Sequence, residues 1–265
     1  MLDKNRYGCV LPHLPDGRTM LIAILSDIHA NREAFESVLA ATKVAGASEV
    51  VILGDLVGYG ADPVWCTERA MALAESGAIV LRGNHDEAVS DTATRMNPTA
   101  ALAMEWTRRQ LGEEARAFLA ALPMEAREGG RYYVHSDATA PDRWNYVLNS
   151  ADAHAHLITC LERVSFCGHV HVPALYCTGP TNKTTPFEPR DATPIPLLPQ
   201  RKWLAVVGSV GQPRDGNPAA AFCLLDTETN ELRFMRAPYD VELAAEKIRA
   251  AGLPRSLADR LLEGR

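Results

Sequence analysis

Short apolar runs that end in a polar residue recur along the first two thirds of the chain. The first covers residues 20–25 and is followed by Asp27 and His29, and the second covers residues 50–53 and is followed by Asp55. Neither run alternates strictly between apolar and polar residues, which is typical of a strand buried on both faces. Each run therefore predicts a central strand, and in open α/β sheets the loops beyond such strand ends carry functional groups.

Helical spacing of apolar residues follows each run. Residues 34–44 carry apolar side chains three and four positions apart, and Gly46 is a typical stop signal. Residues 63–73 repeat the pattern, and a third apolar run over residues 78–81 leads to Asn84. This alternation predicts βαβ units with right-handed crossovers and a mostly parallel sheet. The polar ends of the three strands are then expected at one edge of that sheet.

The rest of the chain predicts further elements in a less regular order. They are helices over residues 97–121 with a break near Gly112, a strand over 131–134, a helix over 151–162, a strand from 164, an irregular Pro-rich excursion or long hairpin over 179–200, a strand from 203 that meets a glycine-rich turn, two antiparallel strands over 219–226 and 232–236, and helices over 241–262 with a break near Gly252. No repeat is evident, so we interpret residues 20–265 as one domain. Residues 1–19 are interpreted as an N-terminal extension that contributes little to the fold.

Composition and charge narrow the class of protein. The 265 residues are 47% hydrophobic and 23% charged with a net charge of −6, which is ordinary for a globular protein. The acidic balance argues against binding to a membrane surface or an extended nucleic-acid surface, and no run approaches the about 20 apolar residues of a spanning helix. The six cysteines include no C-x-x-C pair, so we expect reduced core residues and a cytoplasmic protein. The oligomeric state is left open.

Eight polar residues follow the predicted strand ends, and together they predict a metal site. After a single strand an Asp or His is usually a turn, cap or core residue, but here the construction recurs at Asp27, His29, Asp55, Asn84, His85, His135, His169 and His171. His169 and His171 are two positions apart, so in an extended segment both imidazoles face one location. The number of ligands predicts two metal ions. Imidazole, carboxylate and amide ligands suit Mn²⁺, which we expect, or Fe or Zn²⁺, rather than Mg²⁺ or Ca²⁺.

Five motifs resemble, in sequence and in order, the five blocks of the calcineurin-like metallophosphoesterases: Asp27-Ile-His29, Gly54-Asp55-x-x-Gly58, Gly83-Asn84-His85-Asp86, His135 and Gly168-His169-x-His171. The glycine-rich turn over residues 208–216 resembles that of small prokaryotic members of this family. The resemblance implies a four-layer α/β sandwich, in which two mixed β-sheets lie face to face with helices outside. It also implies a metal-dependent hydrolase of phosphate esters.

The same resemblance implies roles for the site residues. One metal ion would be held by Asp27, His29, Asp55 and His171, and the second by Asp55, Asn84, His135 and His169, with Asp55 bridging. A hydroxide that bridges the two ions would attack phosphorus in line. His85 has no ligand role in the family pattern, so we interpret it as the general acid for the leaving oxygen, with Asp86 orienting and charging its imidazole. The alternative for His85 is a spectator beside the ligands.

Substrate class is indicated by a departure from the family pattern. Gly58-Tyr59-Gly60 stands where the protein phosphatases of the family carry Asp-Arg-Gly, which favours a phosphodiester or nucleotide polyphosphate over a phosphoprotein. We expect a phosphodiesterase acting on a small phosphorylated substrate such as a nucleotide. The alternatives are a hydrolase of the diadenosine tetraphosphate type, a serine/threonine-type protein phosphatase, and a non-catalytic scaffold, which the complete set of ligand positions disfavours.

Candidate substrate contacts are Asn31, Tyr59, Arg82, Trp144 and Arg214. Arginines commonly contact phosphate, but surface arginines are usually only solvated. Asn31 has a second interpretation as the cap of the helix that follows it. Trp144, and the nearby Tyr146, could stack on a base or pack in the core.

Overall fold

The computed structural model describes residues 20–94 and 96–265. The prediction for residues 1–19 lies outside the described residues, as does Cys9. In the described chain, two six-stranded sheets pack face to face, and helices cover their outer sides. The predicted four-layer α/β sandwich of two mixed β-sheets is therefore confirmed.

The strands, numbered in chain order, form the two sheets as follows. The first sheet has the spatial order β3 (Ile79–Val80), β2 (Glu49–Ile52), β1 (Leu21–Leu25), β11 (Ala220–Asp226), β12 (Glu231–Ala237) and β9 (Ile195–Pro196). The second sheet has the order β4 (Glu125–Glu128), β5 (Arg131–Val134), β6 (Val164–Cys167), β10 (Lys202–Val206), β7 (Ala174–Thr178) and β8 (Thr184–Phe187). Strands β1, β2 and β3 are parallel, as are β5, β6 and β10, whereas β11 and β7 run antiparallel to their neighbours β1 and β10.

The described helices connect and cover these strands. They are α1 (Arg32–Ala45), α2 (Pro63–Glu75), α3 (Asn84–Ser90), α4 (Pro98–Gln110), α5 (Glu113–Ala121), α6 (Ser150–Thr159), α7 (Val241–Ala250) and α8 (Arg255–Glu263). Helix α1 begins where the side chain of Asn31 accepts a hydrogen bond from the amide of Ala34 and ends at Gly46, which has a φ of 79°. Both ends agree with the stop and cap signals in the sequence.

Strand β1 is buried on both faces, as its unbroken apolar pattern predicts. Ile22 and Ile24 point into the core between the sheets. Ala23 and Leu25 belong to the core under the helices that cover the first sheet, which includes Phe35 of α1. This two-sided burial fixes the position of the strand. Asp27 and His29, which follow its end, are positioned with it.

Most predicted elements are present, and the differences have physical reasons. The Pro-rich excursion over residues 179–200 contains β8, which pairs with β7 as an antiparallel hairpin, and β9, which pairs with β12. Strand β4 was not predicted because its sequence, Glu-Ala-Arg-Glu, has no apolar alternation at this exposed sheet edge. The five cysteines in the described chain are buried and free, as expected. In the described residues, every helix is too short or too polar to cross a membrane.

Candidate metal centre

The carboxyl ends of five strands converge on one site. β1 is followed by Asp27 and His29, β2 by Asp55, β3 by Asn84, β5 by His135, and β6 by His169 and His171. The aspartates and histidines of this set are buried, and none of them is more than 6% exposed. Both sheets therefore contribute to a single buried group of possible ligands.

Asp27, His29 and His171 form the first cluster. Nε2 of His171 lies 3.2 Å from Oδ1 of Asp27 and 3.1 Å from Nε2 of His29. One carboxylate oxygen and two imidazole nitrogens therefore converge on a point that a small cation can occupy, and this combination suits transition metals. The geometry agrees with the prediction that these three residues hold the same metal ion.

Asp55, His135, His169 and Asn84 form the second cluster. Nε2 of His135 lies 3.4 Å from Oδ2 of Asp55 and 3.2 Å from Nδ1 of His169. Oδ1 of Asn84 is buried and has no hydrogen-bond partner among the described residues, which an amide oxygen tolerates when it binds a cation. Oδ2 of Asp55 also lies 3.6 Å from Nε2 of His29, so Asp55 joins the two clusters.

Each of the four histidines in the clusters is oriented by a backbone carbonyl. The ring nitrogen that faces away from the cluster contacts the carbonyl oxygen of Val57 for His29 at 3.1 Å, of Leu53 for His135 at 3.2 Å, of Trp144 for His169 at 3.0 Å, and of Gln212 for His171 at 2.7 Å. A carbonyl can only accept, so this nitrogen donates its N–H and the other nitrogen is left as a lone-pair donor. Histidines that bind metals are held in this way.

His169 and His171 belong to different clusters but line the same cavity, which agrees with the prediction that both imidazoles face one location. That prediction assumed an extended segment, whereas the two residues have φ values of 66° and 64°. Left-handed φ values of 55°, 48° and 54° also occur at Asp27, His29 and Asp55. Residues other than glycine rarely adopt this conformation, and at functional sites it persists only because the surrounding structure enforces it.

Burial and mutual contacts set the charges at the site. Burial alone would raise the pKa of Asp55, but His135, His85 and His29 together outweigh burial and hold that pKa well below its ordinary value. Burial would lower the pKa of His135, but Asp55 raises it to about 9. Burial lowers the pKa of His169 to about 3, so its imidazole is neutral at pH 7. A cation would take the place of the proton on His135, and the complete donor set fits divalent metal ions.

The family model of the calcineurin-like phosphoesterase superfamily domain matches residues 20–230. The chain belongs to this superfamily. The resemblance seen in the five sequence motifs is thereby confirmed, and a phosphoesterase fold accounts for ligands at the ends of five strands.

Three known proteins that are similar in sequence or fold cover almost the whole chain. An uncharacterized protein from Methanocaldococcus jannaschii is 32% identical over 251 residues, which is 92% of this chain and 98% of that protein. A metallophosphoesterase from Sphaerobacter thermophilus has a crystal structure that matches with a TM-score of 0.83 at 33% identity, over 94% of this chain and 100% of that chain. A hypothetical protein from Pyrococcus horikoshii shares the fold, with a TM-score of 0.74 at 21% identity over 93% and 99% of the two chains.

His85 lies beside the clusters of this phosphoesterase but is not paired with Asp86. The carboxylate of Asp86 accepts hydrogen bonds from the backbone amides of Leu56, Val57 and Gly83 at 2.9, 3.3 and 3.0 Å. The prediction that Asp86 orients and charges His85 is therefore wrong, because these three amides occupy its oxygens. Asp86 instead ties the loop after β2 to the start of α3.

The rings of Tyr59 and His29 hold His85 in place. Their centroids lie 4.5 and 4.8 Å from that of His85. Gly58 leaves room for the imidazole, since a Cβ there would collide with its Nδ1. Burial lowers the pKa of His85 to about 4, so without substrate the ring is neutral at pH 7. Nδ1 is buried against Gly58 and has no hydrogen-bond partner among the described residues.

A cavity of about 80 Å³ opens onto both clusters of the phosphoesterase. Two of the predicted substrate contacts, Tyr59 and Arg214, line it together with His85. The guanidinium of Arg214 lies 5.8 Å from the ring centroid of Tyr59 and donates a hydrogen bond of 2.8 Å to the side chain of Gln212. Arg214 thus brings a positive charge to the mouth of the metal centre.

The other three predicted substrate contacts do not line this cavity. Asn31 caps α1, and its amide nitrogen donates to the carbonyl of Gly211, so the helix-cap interpretation is the correct one. The guanidinium of Arg82 turns towards the sulfur of Met124 and the carbonyl of Ala120. The indole of Trp144 turns inward and donates to Glu87 at 3.0 Å. These three side chains instead form hydrogen bonds within the protein.

Several residues at the site were not predicted from the sequence. Met96 and Asn97, just before and at the cap of α4, line the cavity, and no motif marks them. Glu87 anchors Trp144 and lies one helical turn after Asn84, a spacing that could have indicated a role near the site. The carbonyls that orient the histidines have no residue signature.

Proposed function

We propose that this protein is a dinuclear-metal-dependent phosphodiesterase that acts on a small phosphorylated substrate. The observation that carries the proposal is the pair of clusters joined by Asp55, in which carbonyls orient all four histidines towards the clusters. Two divalent ions held there would neutralise phosphoryl oxygens and supply a water-derived nucleophile at neutral pH. We propose Mn²⁺ as the native metal on the basis of the donor set.

The residues around the cavity have separate tasks in this proposal. Arg214 contacts a phosphoryl oxygen at the mouth of the site, because its guanidinium is the cationic group among the described residues that line the cavity. His85 faces the leaving oxygen and gives it a proton. Its neutral ring acquires that proton when an anionic ester lies next to it, since a nearby negative charge raises the pKa of an imidazole. Tyr59 supports both side chains.

One observation supports a diester rather than a phosphoprotein. Among the described residues a single arginine lines the cavity, with Tyr59 where the protein phosphatases have another. A singly charged diester needs less positive charge than a doubly charged monoester. The buried free cysteines support a reducing compartment, so we propose the cytoplasm.

Turnover of matched substrates tests the proposal. The Mn²⁺-loaded protein is assayed with bis-p-nitrophenyl phosphate, p-nitrophenyl phosphate, diadenosine tetraphosphate and a phosphoserine peptide. We expect the highest kcat/KM for the diester and loss of turnover in Asp55→Asn. His154→Asn is the control, because His154 lies on α6 and contacts Thr184 of β8, away from the clusters. Higher kcat/KM for the tetraphosphate or the peptide would replace the diester assignment, and turnover equal to that of metal-free protein on all four would favour a scaffold.

A further inference from the structure

The segment after β5 turns two aromatic rings in opposite directions. Trp144, with a φ of 56°, turns its indole inward, where the ring lies edge-on to His135 at 5.8 Å and donates to Glu87. Tyr146 turns outward and is 49% exposed. The two aromatic side chains of this segment therefore have different surroundings, and only the ring of Tyr146 is half exposed.

Tyr146 stacks directly on a metal-cluster histidine. Its ring lies 4.1 Å from that of His169 with an angle of 10° between the planes. One face of the tyrosine is therefore covered by His169, and among the described residues no second ring covers the other face. Tyr146 also lines the cavity that holds His85 and Arg214. A flat group in that cavity can extend the existing stack by one ring.

The segment that carries Tyr146 is held at both ends. The carbonyl of Trp144 contacts Nε2 of His169 at 3.0 Å. On the other side, Val147 is buried in the core under α6, and Asn149 caps that helix through the amides of Ala151 and Asp152. The ring is thus presented by a fixed backbone, so stacking on it costs little additional ordering.

We propose that the outer face of Tyr146 is a stacking surface that selects esters with a planar aromatic ring next to the phosphoryl group, as in nucleotides. This inference rests on the proposed function, since the clusters and Arg214 must hold the phosphoryl group. Stacking of a base on an aromatic side chain corresponds to about 5- to 100-fold in affinity. Tyr146, rather than Trp144, is the aromatic residue that discriminates between substrates.

Two ligands that differ only in a base test this inference. Adenosine 5′-monophosphate and ribose 5-phosphate share the sugar and the phosphate, and their binding to the Mn²⁺-loaded protein is measured by calorimetry. We expect the nucleotide to bind about 5- to 100-fold more tightly. Tyr146→Leu should remove most of this ratio and leave ribose 5-phosphate unaffected, whereas Tyr146→Phe should keep it. Leu148→Ala, an exposed apolar position on the same segment, is the control.

The outcomes separate the stacking surface from the proposed function. Equal affinities in the wild-type protein, or an unchanged ratio in Tyr146→Leu, would overturn the stacking surface even if bis-p-nitrophenyl phosphate is hydrolysed. If the preference for the nucleotide over ribose 5-phosphate disappears in Tyr146→Leu, the stacking surface is supported even if no diester is hydrolysed. In that case only the proposed reaction fails. Metal content and melting temperature of each variant show that the fold and the clusters are intact.

Discussion

The role of a residue at this site depends on the orientation of its side chain as much as on the residue type. His169 and His171 are two positions apart and serve different clusters, because each ring is held by a different carbonyl, that of Trp144 or of Gln212. Asp55 is the residue common to both clusters, with Oδ2 within 3.6 Å of a histidine in each. The two kinds of position should therefore respond differently to substitution.

Substitution of a shared ligand and of an unshared ligand should give different metal contents. We expect His171→Ala to bind one metal ion per chain where the wild-type protein binds two, because the second cluster does not use His171. Asp55→Ala should lose both. Activity on a diester should fall at least about 100-fold in each, as even partners of metal ligands commonly contribute 10- to 100-fold. Metal content is measured by emission spectrometry after gel filtration, and equal losses in the two variants would contradict the assignment.

His85 should contribute most to the turnover of substrates that have a poor leaving group. A proton donor helps a poor leaving oxygen far more than p-nitrophenolate, so His85→Ala should lower kcat by about 100- to 10,000-fold on an alkyl diester and much less on an aryl diester. Metal content should stay at the wild-type value, because the proposed ligands of both clusters are all retained. If His85→Ala turns over the alkyl diester at the wild-type rate, His85 is only a neighbour of the clusters.

At the scale of secondary structure, the close approach of β1 and β6 is what assembles the site. The amide of His169 donates to Oδ2 of Asp27 at 2.9 Å, which joins the turn after β6 to the turn after β1. Gly168 makes this approach possible. A Cβ there would collide with Oγ of Ser26 and lie 2.6 Å from Oδ2 of Asp27. A side chain at this position would therefore separate two strand ends that belong to different sheets.

Gly168→Ala should consequently destabilise the protein and weaken metal binding together. We expect a loss of about 1–3 kcal/mol in the free energy of unfolding, as for other overpacked interior positions, and reduced occupancy of the first cluster. Gly179→Ala is the matched control, since a Cβ at Gly179 meets nothing within 4 Å. Chemical denaturation of the metal-free proteins measures the first effect, and equal stabilities of the two variants would contradict the explanation.

The sequence predicts the central strands, and the residues that meet at the candidate metal centre, better than it predicts the edge strands of the two sheets. Asp27, Asp55 and His135 were identified because metal chemistry restricts the residue types that can follow a buried strand. Strand β4 has no apolar alternation, since its residues lie at an exposed edge. The partner of Asp86 could not be predicted, because a carboxylate three residues into a helix can turn towards either a side chain or backbone amides. Trp144 and Tyr146 look alike in sequence, and only the turn between them separates their roles.

At the scale of the whole molecule, the candidate metal centre takes residues from both sheets. The first sheet supplies Asp27 and His29 to the first cluster, and the second sheet supplies His171. The second cluster is likewise divided, with Asp55 from the first sheet and His135 from the second. Bound ions would therefore connect the two sheets at the carboxyl ends of β1, β2, β5 and β6, beyond the apolar core.

Removal of metal should lower the stability of the entire fold rather than of a loop. A ligand at 100 times its dissociation constant adds about 3 kcal/mol to the free energy of unfolding, so chelation should lower the melting temperature by several degrees. We expect hydrogen exchange to increase on chelation at the ends of β1 and β6 alike, as measured by mass spectrometry. An increase confined to one sheet would show that the ions do not join the two.

The left-handed backbone at five of the ligands has a consequence for how the site can change over generations. Glycine adopts that conformation without strain, so a mutation to glycine would remove a candidate ligand while relieving the backbone at Asp27, His29, Asp55, His169 or His171. The reverse change must reintroduce a side chain at a conformation that most residues avoid. Loss of the metal centre is therefore easy for this fold and recovery is difficult, and only asparagine, aspartate and histidine offer both tolerance of the turn and a ligand atom.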